Sequence, residues 1–390
     1  MANLINAIDE SGAVVCVYSR DAKDGHYEAI PPKKTTGSYA KQLLEVFLPA
    51  GYPHTVTTDY TPYQIYASYI IDSLQAFSSS IAGLMSNRAV LQGFGVGKEG
   101  SSATGAVLLS VLQESTGRLA TILFAHRFGQ AIEPECKFYR FAADIFNDAA
   151  LLLDVLTPSL PWTPKILALC AAGVLRSLCG VAAGAAKASL SAHFAKNGNL
   201  AELNAKDGSQ ETVISLMGML AGSLFVNFVE GSTAVWLSML VLLAIHLWTN
   251  YQAVRSVQMR SLNRQRTCIV VAEYNRSGRV LHPAEVAKKE RILSWKAPPI
   301  VVASNYPQNG EITATALRAF HDTNYIITGG ATKTIFLKAG ATPVDALVAY
   351  STAYSGKELD DEFWKAMSSS GWNLDAGAIE TGHAIRIVVE

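Results

Sequence analysis

Glu114 and Arg118 stand four residues apart, as do Arg140, Asp144 and Asp148, in stretches otherwise nearly free of charge. On a helix this spacing puts each set on one face. Charged groups in apolar surroundings must pair with one another or line a wetted cavity. The pattern therefore supports two outcomes: ion pairs that fix helix register, or a polar cavity for a small anionic or zwitterionic ligand. A second cluster, Lys206-Asp-Gly-Ser-Gln-Glu-Thr212, directly precedes a long apolar run. Asp207 or Ser209 is expected to cap the following helix, with Glu211 favoured by its positive N-terminal end. Lys206 and Gln210 stand where a ligand contact is feasible. With Lys187, the ligand-binding set expected from these patterns is Arg118, Asp144, Asp148, Lys187, Lys206, Gln210 and Glu211.

Other chemistries find little support. Gly95-Val-Gly97-Lys-Glu-Gly100 satisfies G-x-G-x-x-G, with Glu114 near the distance of a ribose-binding acid. A dinucleotide site needs a strand before this loop and a parallel strand after its helix. A long apolar helix followed by more helix is expected instead, so a flexible turn between helices is the better account. The eight histidines show no paired spacing, and His126, His193 and His246 have no evident Ser, Cys or carboxylate partner. Cys16, Cys136, Cys170, Cys179 and Cys268 are scattered without C-x-x-C spacing, which fits buried thiols better than a disulfide frame or zinc site. No catalytic set, metal site or cofactor is expected, and the chain reads as non-enzymatic.

The elements that would hold the charged residues are apolar helices. Charged residues make up 16% of the chain, against about 25% in ordinary globular domains. Mean hydropathy is +0.19. Lys plus Arg and Asp plus Glu both number 32, so no global bias points to nucleic acid. The missing charge is concentrated between residues 60 and 251. There, 213–229 and 233–248 form two apolar arms around Glu230, and each arm approaches the length needed to cross roughly 30 Å of hydrocarbon. Trp236 and Trp248 lie toward the ends of the second arm, as interfacial anchors do. Asn227 and His246 fit this hairpin poorly and keep a buried soluble hairpin open. Lys187, Lys196 and Lys206 before the hairpin, and Arg255, Arg260, Arg264 and Arg266 after it, place both outer ends on the cytoplasmic side. The first ten residues have neither a signal-peptide nor a transit-peptide pattern, so insertion is expected to use internal segments.

Three zones follow. Residues 1–40 contain an apolar run at 13–18 and an extended 26–30, read as a hairpin, followed by a linker after Pro31-Pro32. Residues 41–265 read as helical, with helices expected at 63–85, 103–128, 138–156 and 166–194 and the terminal hairpin. Gly180 and Gly184 offer a small-x-x-x-small spacing for close helix packing. Residues 266–390 mix strands, expected at 268–272, 325–327, 333–337 and 384–389, with helices. Thr342-Pro-Val-Asp345 marks one helix start, and Phe363, Trp364 and Met367 lie on a second. The expected fold is mainly α: a multi-helix membrane-associated bundle with a small C-terminal α+β domain, multi-pass and in contact with membrane lipid.

Particular motifs in the middle zone go further: Phe47-Leu-Pro-Ala-Gly-Tyr-Pro53, Asp59-Tyr60, Asp72-Ser-Leu-Gln-Ala-Phe77, Gly95-Val-Gly97, Asn147-Asp148, Gly180-Val-Ala-Ala-Gly184, Ala205-Lys-Asp-Gly-Ser-Gln-Glu-Thr212 and Asn250-Tyr251. On these, residues 40–265 resemble the Root UVB Sensitive (RUS) family, and the tail looks like that family's C-terminal domain. Tyr66-Ala-Ser-Tyr-Ile-Ile71 departs from the family pattern as extra residues before the Asp72 motif. The resemblance implies membrane association, a link to UV-B response and vitamin B6 homeostasis, and other family members as partners. It carries over no catalytic residues. A small-metabolite binder or transporter, and a membrane-anchored scaffold acting through its C-terminal domain, are both compatible with it.

Overall fold

The computed structural model describes residues 4–8, 14–20, 26–30, 47–50, 52–60, 71–93, 103–196, 198–229, 231–293, 296–307 and 310–389. The turn at 21–25, the linker at 31–46, the inserted residues 66–70, the glycine loop at 95–100 and Glu230 lie outside them.

The architecture is mainly α. Strands β1 (Leu4–Ile8), β2 (Val14–Arg20) and β3 (Tyr27–Ile30) form an antiparallel sheet in that order. The expected hairpin is β2–β3, while β1 adds a strand that the sequence reading did not assign. The helical series is α1 (Ile71–Gly93), α2 (Ala103–Ile132), α3 (Cys136–Leu156), α4 (Trp162–Phe194), α5 (Leu200–Phe228) and α6 (Ser232–Ser256). Next come α7 (Arg264–Ser277), α8 (Pro283–Lys289), β4 (Ile300–Val302), α9 (Ala314–Ala319), β5 (Tyr325–Thr328), β6 (Lys333–Lys338), α10 (Pro343–Ser355), α11 (Asp361–Ser369) and β7 (Arg386–Ile387). By contacts the chain divides into two compact units, Met1–Leu84 with Leu190–Thr249 and Met85–Ser189 with Asn250–Glu390.

Three of the helices, over Val107–Ile132, Trp162–Phe194 and Ser232–Ser256, are long and apolar enough to cross a membrane. Only 11% of the apolar window of α2 is buried. Leu108, Ile122 and Leu123 are exposed on α2, as are Met217, Leu220 and Leu224 on α5 and Leu237 and Leu240 on α6. A helix in a water-soluble bundle turns such a face inward.

The structure corrects two helix readings. Residues 268–272 are not a strand but the middle of α7. Asn263 accepts the Arg266 N–H as N-cap, and Gly278 closes the helix at φ +69°. Burial of Cys268, Val270 and Val271 on one side overrides the β preference of the branched residues. The second correction concerns α5, which starts at Leu200 and not at the 206–212 cluster. Asp207 and Ser209 therefore cap nothing, and Glu211 lies well inside the helix.

In the C-terminal region β6 is central, parallel to β4 and β7 and antiparallel to β5. The expected strand at 384–389 is reduced to two residues. Thr342 and Asp345 form the expected capping box of α10. The helix expected around Phe363 is α11. A core built from Val270, Val271, Tyr350, Phe363 and Met367 joins α7, α10 and α11, and the Trp372 indole N–H donates to the Leu281 carbonyl at 2.8 Å.

Candidate functional site

α3 carries a polar seam through apolar surroundings. Asp144, Asp148 and Asp154 are all buried, on a helix that also buries Phe141, Ala143 and Leu151. Arg140 reaches Asp144 at 2.7 Å, one turn along. Asp154 pairs with Arg176 of α4 and accepts the Ser86 hydroxyl at 2.5 Å. One oxygen on each of two carboxylates, Oδ2 of Asp144 and Oδ1 of Asp154, is buried without a hydrogen-bond partner. Such oxygens retain an unmet demand for a donor. Cys179 of α4 lies within electrostatic range of Asp144, Arg140 and Asp148. This brings α4 against the seam, and Lys187, two turns beyond Cys179, is half-buried.

In the same unit α2 and α4 approach closely. A Cβ on Gly173 would lie 2.9 Å from the Gln113 carbonyl oxygen, and one on Gly117 would lie 3.1 Å from the Gly173 carbonyl. Of Gly173, Gly180 and Gly184 in α4, the sequence puts Gly180 and Gly184 at the small-x-x-x-small spacing. A Cβ at either meets nothing within 4 Å among the described residues, so the crossing uses Gly173 instead.

Arg118 takes a different position. Its side chain is 81% exposed on α2 and pairs with Glu114 at 3.7 Å. Lys206, Gln210 and Glu211 belong to the other unit, on α5. There Gln210 donates to the Phe47 carbonyl at 2.6 Å, while Lys206 is half-buried and Glu211 exposed. Around them a belt of contacts pins residues 47–50 and 52–60. The Tyr60 hydroxyl donates to Asp207 at 2.8 Å, and Glu202 accepts the Ala50 N–H at 2.7 Å. His193 sits 2.8 Å from Asp59, with both side chains buried. Tyr60 packs edge-on against Phe194. The sequence motifs at 47–53, 59–60 and 205–212 are thus one three-dimensional feature. Sequence reasoning missed the His193–Asp59 pair because its members are 134 residues apart.

A further feature was not foreseen. Residues from 131–139, 263–266 and 290–293, with Ala297, line a cavity of about 310 Å³. Inside it Lys137 and Arg266 flank Glu290 at 2.7 and 2.8 Å, all three side chains nearly buried. Burial alone would raise the Glu290 carboxyl, but the two cations hold it below its ordinary range.

These motif-bearing contacts lie within the stretch that a family model matches. Residues 33–278 match the vitamin B6 photo-protection and homoeostasis domain, more than half of the chain. The chain belongs to the root UVB sensitive family. RUS family member 1 of Dictyostelium discoideum is 38% identical, over 67% of this chain and 49% of that protein. Protein root UVB sensitive 3 of Arabidopsis thaliana is 37% identical, over 65% of this chain and 56% of its own length. The chain thus spans about half the length of these relatives. A more distant relative, Arabidopsis root UVB sensitive 5, is 25% identical over 97% of this chain. No solved structure matches. In this RUS-family chain the 205–212 motif is an internal helix segment to which Phe47 and Tyr60 are hydrogen-bonded.

Proposed function

We propose that this RUS-family chain is a non-enzymatic integral membrane protein that binds or carries a small zwitterionic metabolite connected with vitamin B6 balance. The observation that carries this reading is the α3 seam. Buried carboxylates with unfilled acceptor oxygens lie in a unit whose neighbouring helices expose apolar surface. Ionisable groups within membrane helices are costly to keep there and mark ligand or ion paths. Asp144, whose Oδ2 is unfilled, would take an ammonium group with buried Asp148 one turn along, and Arg140 and Lys187 would supply the opposite charge. The vitamin link rests on the family description alone. Alkaline carbonate extraction tests the membrane half: the protein stays in the pellet, and release to the supernatant would refute insertion.

Binding is tested with pyridoxamine, a cationic vitamer, on the purified full chain in liposomes. Asp148→Asn and Asp144→Asn should each weaken binding by roughly tenfold or more, the size of a lost charge-assisted hydrogen bond, without unfolding the protein. Unchanged affinity in both variants would remove the seam from consideration.

A second reading, a membrane-anchored scaffold, draws on the C-terminal sheet. Val301 of β4 and Val388 and Val389 just after β7 are exposed, as a docking strand or helix would require. Val301→Lys with Val388→Lys should then remove proteins co-purified from cells, while an unaltered set argues against docking.

A further inference from the structure

The cavity lined from 131–139, 263–266, 290–293 and Ala297 carries more positive than negative side chains. Four cations line it, Lys137, Arg264, Arg266 and Arg291, against two carboxylates, Glu135 and Glu290. The inner part is already satisfied: Glu290 is held by Lys137 and Arg266, and the Arg266 Nε donates to the Ser261 carbonyl at 2.7 Å. The outer part is not. Arg264 approaches Glu135 at only 4.0 Å, and the Arg264 Nε and Glu135 Oε1 are buried without a hydrogen-bond partner. Burial raises the Glu135 carboxyl despite the opposing pull of Arg266 and Arg264, which weakens its claim as their counter-ion. Arg291 is exposed at the rim.

α7 adds to this charge. It begins at Arg264, so its positive end opens on the same space. First-turn N–H groups have no partner within a helix, and Asn263 takes that of Arg266. Phe138, Ile292 and Leu293 supply apolar wall. The volume is at the small end of ligand cavities, about 300 to 1,000 Å³.

We propose that this cavity binds a phosphate group carried on a small apolar body. Its formal excess of two positive charges matches a phosphomonoester, about −1.5 to −2 near neutral pH, better than a monocarboxylate. Arg264 and Arg291 grip the phosphate at the open end of α7, and Phe138 and Leu293 pack on the body. The site uses none of the α3 seam residues and stands independently of the function proposed above.

Phenyl phosphate titrated by calorimetry into the full chain in detergent is the direct test, with benzyl alcohol as the phosphate-free control. Saturable one-to-one binding is expected for phenyl phosphate and none for benzyl alcohol. Arg264→Gln and Arg291→Gln should each weaken binding by roughly tenfold or more. Arg291 is exposed, so its variant keeps the test valid if Arg264→Gln fails to fold. Pyridoxamine binding at the α3 seam should survive both changes, which separates failure of one site from failure of the other. Competition by phosphatidic acid, with phosphatidylcholine inert, identifies a lipid headgroup as the phosphate source. Absence of competition identifies a soluble ester. Lack of saturation in the unaltered protein, or full affinity in the double variant, would overturn the assignment.

Discussion

Thr342 and Asp345 show how much one local pair can settle. The Thr342 hydroxyl accepts the Asp345 N–H, and the Asp345 carboxylate accepts the Thr342 N–H at 2.7 Å. Partial burial would raise the Asp345 carboxyl, but the Thr342 backbone and hydroxyl hold it below its ordinary range. Because the folded-state pKa is depressed, this contribution is present above the unfolded-state value. It is lost as pH falls through the folded-state value. Thr342→Ala should cost about 1 kcal/mol at neutral pH, and Asp345→Asn should flatten the acid limb of a plot of Tm against pH. Thermal unfolding of the full chain across that acid range checks both. This pair was legible in sequence because its partners are three residues apart. So was the shared face of Asp144 and Asp148, from their i,i+4 spacing. The phosphate cavity was not, since its residues come from three stretches that only tertiary packing brings together.

Helices in this protein are decided at their ends and at their crossings more than by their apolar middles. The run Ile269-Val270-Val271 reads as a strand in isolation, yet Asn263 and Gly278 bracket it as a helix. For α5 the reverse held. Gly208 lowers helix stability by up to about 1 kcal/mol relative to Ala. Even so the helix runs through it, because Leu203 is buried and Asp207 and Gln210 are tied to the 47–60 loop. Spacing likewise misdirected the glycines, since sequence shows which residues are small but not which face meets a neighbour. The contrast gives a prediction. Gly173→Ala should destabilise the protein by roughly 1 to 3 kcal/mol through overpacking against Gln113. Gly180→Ala and Gly184→Ala should be tolerated, with Tm in detergent as the readout. Equal losses at all three positions would contradict the crossing at Gly173.

For the molecule as a whole, α7 has two roles. It falls within the stretch that defines the RUS family, and it is also central to the C-terminal core. Its N-terminal end closes the charged cavity with α3, while Val270 and Val271 pack with Tyr350 and Phe363. A chain cut after Gly278 would therefore keep the family stretch and lose the cover of this face. We expect such a truncation to aggregate or be digested rapidly under mild protease, while still sedimenting with carbonate-washed membranes. A monodisperse, protease-resistant product would show that α7 needs no C-terminal cover.

That double role sets a schedule for biosynthesis. Phe363 leaves the ribosome roughly 85 residues after α7 is complete, which at ordinary elongation rates takes roughly 4 to 17 s. Through that interval the Val270–Val271 side of the helix lacks the part of its cover that Tyr350, Phe363 and Met367 supply. A holdase or a neighbouring membrane surface must shield it until α10 and α11 arrive, so slowed translation between 280 and 360 should increase misassembly.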